Sequence, residues 1–102
     1  MLLLLFHLFS IKGQESTKKY ISGHVFELIS DDSLSPIPGV NVRYLGANEG
    51  VATDANGYFK LSKNKNQKIL IFSHIGYQID TLKDIHSKDI NLVLKEGKIL
   101  KD

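Results

Sequence analysis

The stretch Gly50 to Leu61, GVATDANGYFKL, constrains the rest of the chain more than any other. Two short apolar-rich runs flank the polar turn Asp54-Ala55-Asn56-Gly57. Asn-Gly tolerates positive φ, so the backbone can reverse there without steric cost. Beyond the turn, Phe59 and Leu61 alternate with Tyr58 and Lys60, the period of a strand with one buried face. The pattern predicts a β-hairpin at the centre of a small β domain, and nothing in it carries catalytic chemistry.

The flanking sequence repeats the same signal. Tyr20 to Leu28 alternates, with Ile21, Gly23 and Val25 on one face and Tyr20, Ser22, His24, Phe26 and Leu28 on the other. Ile29 to Pro38 reads as a loop, rich in Ser and Asp and closed by prolines that remove backbone donors. Val40 to Leu45 is the second strand, and Val51 to Thr53 and Tyr58 to Leu61 are the arms of the hairpin. After the polar run Lys63 to Lys68, Ile69 to His74 is the most apolar strand, expected to be buried on both faces. Gly76 marks a bend, Gln78 to Leu82 a further strand with Ile79 its most apolar member, and Ile90, Leu92 and Leu94 the inward positions of a last one. No window beyond the N-terminal segment sustains a helical period, and seven short strands with frequent turns predict an all-β sandwich.

The N-terminus is different. Leu2 to Ile11 is an apolar run too short to span a bilayer as a helix, and it ends at small Gly13. It predicts a secretory signal peptide over 1–13, although no Lys or Arg precedes the apolar run. A flexible lead-in follows over 14–19. Removal of the signal leaves roughly 88 residues, near the lower end for a core without staples. The absence of cysteine excludes disulfides, thiolate catalysis, thiolate metal sites and a lipidated N-terminal cysteine. A net charge of +2 is too small to imply nucleic acid, and the lysines form no aromatic-interleaved stripe along the sequence.

No constellation in the chain reads as an active site. His7, His24, His74 and His86 lack metal-ligand spacing. His24 and His74 could meet across strands, but the spacing favours two sheet-surface residues. Asp54-Ala55-Asn56-Gly57 resembles the middle of a calcium loop without its third acidic position or its closing Glu. Asp31-Asp32 is an acidic pair in a loop, expected to be solvated. Ser73 and His74 are sequence neighbours, so on a strand they point to opposite faces and cannot form a nucleophile–base pair. Tyr44, Tyr58, Tyr77 and Phe72 could line a binding face or serve as packing.

Four stretches then occur together in order: Ile21-Ser22-Gly23-His24-Val25, Pro36-Ile37-Pro38-Gly39-Val40-Asn41-Val42, Gly50 to Leu61, and Leu70-Ile71-Phe72-Ser73-His74-Ile75-Gly76-Tyr77. Together they resemble the carboxypeptidase regulatory-like domain, a seven-stranded transthyretin-like (prealbumin-like) Greek-key β-sandwich. The form they resemble most is the one at the N-terminus of TonB-dependent outer-membrane receptors of the Bacteroidetes type. The resemblance covers residues 20–96, with 97–102 a charged tail. The loop Ile29 to Ser35 is longer than usual for that family. Where receptors of this kind continue into a TonB-contacting segment, a plug and a barrel, this chain stops at Asp102.

The resemblance implies a non-enzymatic module, secreted across the inner membrane to the periplasm and outer membrane, with no cofactor. It implies an accessory role, as the N-terminal domain or a fragment of a TonB-dependent receptor, with a protein partner at the outer membrane or a glycan; the small net charge separately argues against nucleic acid. The alternative is a stand-alone carbohydrate- or protein-binding module, with Tyr58 and Tyr77 as the candidate partner-binding residues. A transthyretin-like hydrolase would need clustered His and Arg and a Tyr-Arg-Gly-Ser type ending. This chain has one arginine, Arg43, and ends Leu-Lys-Asp.

Overall fold

Alternation places one buried row on each strand, and two such rows must cover one another. The computed structural model describes residues 19–83, 85 and 89–97. The expected signal peptide, most of the lead-in and most of the tail lie outside the described residues. Among the described residues there are eight strands: β1 (Tyr20–Ser30), β2 (Ser33–Pro36), β3 (Asn41–Tyr44), β4 (Val51–Ala52), β5 (Tyr58–Ser62), β6 (Ile69–Ser73), β7 (Asp80–Lys83) and β8 (Ile90–Leu94). The seven expected strands are all among them. The eighth, β2, replaces part of the expected loop: β1 runs on to Ser30 and Leu28 pairs with Leu34. Alternating Ser and apolar residues from Ser33 to Pro36 outweigh the proline, which sits at the strand's last position.

The strands form two sheets. In the first, β1 is central. β8 runs parallel to it along one side, pairing over Gly23 to Glu27. On the other side β5 pairs with Tyr20 to His24 and β2 with Phe26 to Ser30, end to end and antiparallel. Val25 sits at their junction, its N–H donating to Gly57 O (2.8 Å) and its carbonyl accepting from Ile37 N (3.0 Å). The second sheet has the order β4-β3-β6-β7, all antiparallel.

The expected hairpin is corrected. The chain does reverse at Asp54 to Gly57, with Asp54 N donating to Tyr58 O and Gly57 at φ +76°. Its two arms, however, belong to different sheets, since β4 pairs with β3 and β5 with β1. The turn is the corner at which the chain crosses the sandwich. Thr53 fastens that corner. It is 5 % exposed, its hydroxyl donates to Ile37 O (2.6 Å), and the same oxygen accepts from Val40 N (2.9 Å). Its own backbone exchanges bonds with Val40 O and Gly39 N.

Between the sheets lie Ile21, Val25, Phe59, Ile90 and Leu94 from one side and Val42, Tyr44, Leu70 and Phe72 from the other, with Ile37 and Val40 closing the corner. Phe59 and Phe72 meet edge to face across the layer, with centroids 5.7 Å apart. β6 is buried on both faces as expected: Leu70 and Phe72 point inward, and Ile71 is also covered. β7 is shifted from expectation. Leu82, opposite Leu70, faces the core, whereas Ile79 precedes the strand and is 69 % exposed. A left-handed Gly76 (φ +90°) turns the chain after β6, and Gln78 N donates to Lys95 O before β7 begins.

Tyrosines latch both ends of the sandwich. At one end Tyr44, from β3, donates its hydroxyl to Ser62 O of β5 (2.8 Å) and accepts from Asn64 N (3.2 Å). Burial raises the Tyr44 phenol above its ordinary value, partly offset by the Asn64 N–H. At the other end Tyr77, just beyond β6, donates to Glu27 Oε1 on β1 (2.7 Å).

Candidate functional site

Every second residue of β1, β5, β2 and β8 faces away from the core, and the register arranges these residues in rows. Tyr20 lies opposite Ser62, and Ser22 opposite Lys60. Asn91, His24 and Tyr58 form the next row, then Val93, Phe26 and Pro36, then Leu28 and Leu34. The His24 ring is stacked on Phe26 (centroids 6.0 Å, 15° between planes) and tilted against Tyr58 (5.3 Å, 55°). Lys60 Nζ lies 4.3 Å from the Tyr20 ring centre, a cation–π contact. The face is therefore graded. It is polar at the Ser62 end, aromatic in the middle and aliphatic at the β1–β2 hairpin, where Leu28 is 57 % and Leu34 50 % exposed.

Tyr58 thus stands at the centre of an outward face, on a strand held in place by Phe59 beneath it. Tyr77 is placed elsewhere. Its ring meets His74 edge-on (5.3 Å), packs against the core, and lines an open depression with Gly39, Ile75 and Ile79. The hydrogen bond to Glu27 raises the Tyr77 phenol, with burial and the charges of Glu27 and Glu96 acting in the same direction. The two tyrosines do not share a site. Nor do the two histidines within the described residues: His24 belongs to the sheet face, while His74 Nδ1 lies 2.8 Å from Ile75 O in the turn.

Asp54 acts as a turn former. Its Oδ1 accepts from Asn56 N (2.9 Å) and Tyr58 N (3.0 Å), so the carboxylate is used in shaping the corner. Among the described residues no group of three His, Cys, Asp or Glu is placed to hold a metal ion. Sequence reading misses the aliphatic part of the face. Alternation puts Leu28 on the correct side, but Leu34 and Pro36 join it only because Ser33–Pro36 is a strand. The Leu34–Pro36 alternation against Ser33 and Ser35 is the signal that could have shown it.

Comparison with known proteins agrees with this architecture. The family model described as CarboxypepD_reg-like domain matches residues 21–102. A TonB-dependent receptor of Formosa agariphila is 32 % identical over 94 residues, which is 92 % of this chain and 9 % of that protein. The chain thus spans about a tenth of the length of this relative. Among solved structures, two interface mutants of a type II cohesin–X–dockerin complex from Acetivibrio cellulolyticus match with TM-scores of 0.61 and 0.59. Each is 18 % identical and covers 78 % of this chain and 58 % of that one, a likeness of fold alone.

Proposed function

The chain belongs to the carboxypeptidase regulatory-like domain family, and on that basis we propose that it is the N-terminal accessory domain of a TonB-dependent outer-membrane nutrient receptor. It works by contact rather than by catalysis, on the periplasmic side of the outer membrane, after export by its signal peptide. The observation that carries this reading is the graded outer face of β1, β2, β5 and β8. Leu28, Leu34, Val93, Phe26 and Pro36 form a continuous apolar area bordered by Tyr58 and His24. An apolar centre with aromatic and polar neighbours is the make-up of a protein-contacting surface.

The test is a double substitution, Leu28→Glu with Leu34→Glu. Both side chains are at least half exposed, so the fold tolerates the change. The expected result is loss of co-purification with the receptor's remaining domains and slower nutrient uptake, with an unchanged melting temperature. Uptake and co-purification at the unsubstituted level refute the reading.

A second reading, a stand-alone glycan- or protein-binding module, draws on the ring row itself. His24, Phe26 and Tyr58 present aromatic surface beside the Asn91 side chain, the pairing of ring and amide that a sugar uses. In that reading Tyr58→Ala abolishes binding on a glycan array, and Tyr77→Ala reports whether the depression beside His74 takes part. An array without a positive signal removes the glycan version.

A further inference from the structure

The lysines are scattered through the sequence, but the fold gathers them. Lys63 N donates to Lys19 O (2.9 Å), which brings Lys19 beside the loop that follows β5. That loop carries Lys63, Lys65 and Lys68. Lys83 pairs with Ile69, the residue after Lys68, and Lys60 lies over Tyr20 at the same end. All six of these side chains are exposed. Among the described residues, the carboxylates at this end are Glu49 and Asp89. The opposite end carries Glu27, Asp31, Asp32, Asp54, Asp80 and Glu96 against Lys95. Among the described residues, charge is therefore separated along the strands.

The basic end is also a shaped one. Tyr44 holds Ser62 O and Asn64 N, Asn64 Oδ1 accepts from Asn66 N (2.9 Å), and Gln67 N donates to Asn64 O (3.1 Å). The loop thus projects its lysines from a turn fastened to the core. Arg43 differs from these lysines: it is half-buried, and its Nη1 donates to Ala47 O (3.2 Å).

We propose that this lysine end docks on a surface of anionic phospholipid headgroups. Its charges are ammonium groups on flexible stems. These suit a diffuse plane of phosphates better than the fixed fork geometry by which arginine pairs with single carboxylates. The loop between the lysines is Asn and Gln, and the Tyr20 ring at the same end is already covered on one face by Lys60 Nζ, whereas protein interfaces concentrate their affinity on open Tyr, Trp or Arg anchors. The acidic end, repelled by the same surface, points away from it, so the contact also orients the domain. The proposal rests on the reading of the chain as an exported outer-membrane module only for where such a surface is met.

The test is co-sedimentation of the full chain with vesicles of phosphatidylcholine alone and with added phosphatidylglycerol. The apolar Leu2–Ile11 run can bring the chain to either vesicle, so the quantity read is the ratio between them. The ratio is expected to favour anionic vesicles strongly and to fall to about one in 1 M salt, where the screening length is about 3 Å. Lys63→Gln, Lys65→Gln and Lys68→Gln together should lower the preference about 100-fold, at about fivefold per lysine. The matching triple change to Arg should keep it, and Asp31→Asn with Asp32→Asn should not reduce it. An equal partition between vesicles, or a preference that survives the triple Gln change, overturns the proposal. So does competition by a poly-glutamate peptide at matched charge that is as strong as that by anionic vesicles, which would point to an acidic protein segment instead. None of these outcomes depends on the receptor, so the proposal can fail while the co-purification test succeeds, and the reverse.

Discussion

Replacing Thr53 by Val tests whether a buried hydroxyl holds the sandwich corner. The two side chains have nearly the same shape, and the site is 5 % exposed, so area burial alone favours Val by up to about 0.8 kcal/mol for the added methyl. Hydrogen bonding argues the other way. The hydroxyl donates to Ile37 O at 2.6 Å and accepts from Val40 N at 2.9 Å, and both bonds are buried. Without it, one buried carbonyl and one buried N–H lose these bonds, at about 1–3 kcal/mol each. The lost hydrogen bonds outweigh the gained methyl, and the net loss is about 1–5 kcal/mol. For a domain of this size about 1 kcal/mol moves the midpoint by about 4–8 °C, so Thr53→Val should melt at least about 5 °C below the parent. Thr53→Ser keeps both hydrogen bonds and loses one methyl, at about 1 kcal/mol. The assay is thermal and urea unfolding of all three chains followed by circular dichroism, with an unchanged urea slope as the check that the unfolded states are comparable. If the Val chain is as stable as the Ser chain, the hydroxyl is not what fastens the corner.

Two glycines separate backbone conformation from crowding. Gly46→Ala, at φ +87° with open space around it, should cost about 1 kcal/mol, whereas Gly57→Ala, at φ +76° with its new Cβ 2.5 Å from Val25 O, should cost well over twice that in the same urea titration. The tyrosine latches make the fold sensitive to alkali. Tyr44 and Tyr77 have raised values in the folded chain, so above the ordinary tyrosine value of 10.0 the unfolded chain releases their protons first and stability falls as pH rises through the folded values. Urea midpoints at pH 8 and pH 11 should show that fall, and Tyr44→Phe should make it shallower. Calcium should leave the melting temperature unchanged, because Asp54 Oδ1 already accepts two backbone N–H bonds; a calcium-dependent rise in calorimetry would refute that account of the turn.

What is legible in the sequence is whatever depends on near neighbours. Alternation in Tyr20 to Leu28 assigns the faces of β1 correctly, and the Asn-Gly turn marks a reversal at Gly57. The same signal cannot say whether the two arms will pair. A turn specifies a change of direction, while β4 with its two residues finds its partner in β3 and β5 in β1 through contacts decided elsewhere. Distance in sequence hides the rest. The partner of the Tyr77 hydroxyl is Glu27, 50 residues away, so Tyr77 reads as a surface aromatic when its polar tip is occupied within the fold. The lysine end is hidden in the same way, because Lys19, Lys63 and Lys83 become neighbours only after the strands are in place. Tyr58 is easier. It sits one residue from buried Phe59, and period two alone turns it outward.

The first and last strands of the described sandwich lie side by side and point the same way. A pull applied to the start of β1 and the end of β8 is therefore directed along the strands and across their shared ladder. The evenly spaced bonds of a parallel pair then carry the load together, in shear, rather than opening one at a time as at the end of a zipper. Beyond β8, Gln78 and Gly97 tie the strand to the second sheet through Lys95 O and Gly76 O, so the same tension has a second attachment to overcome. A domain joined in this way is loaded in shear along its length, whatever its stability to heat.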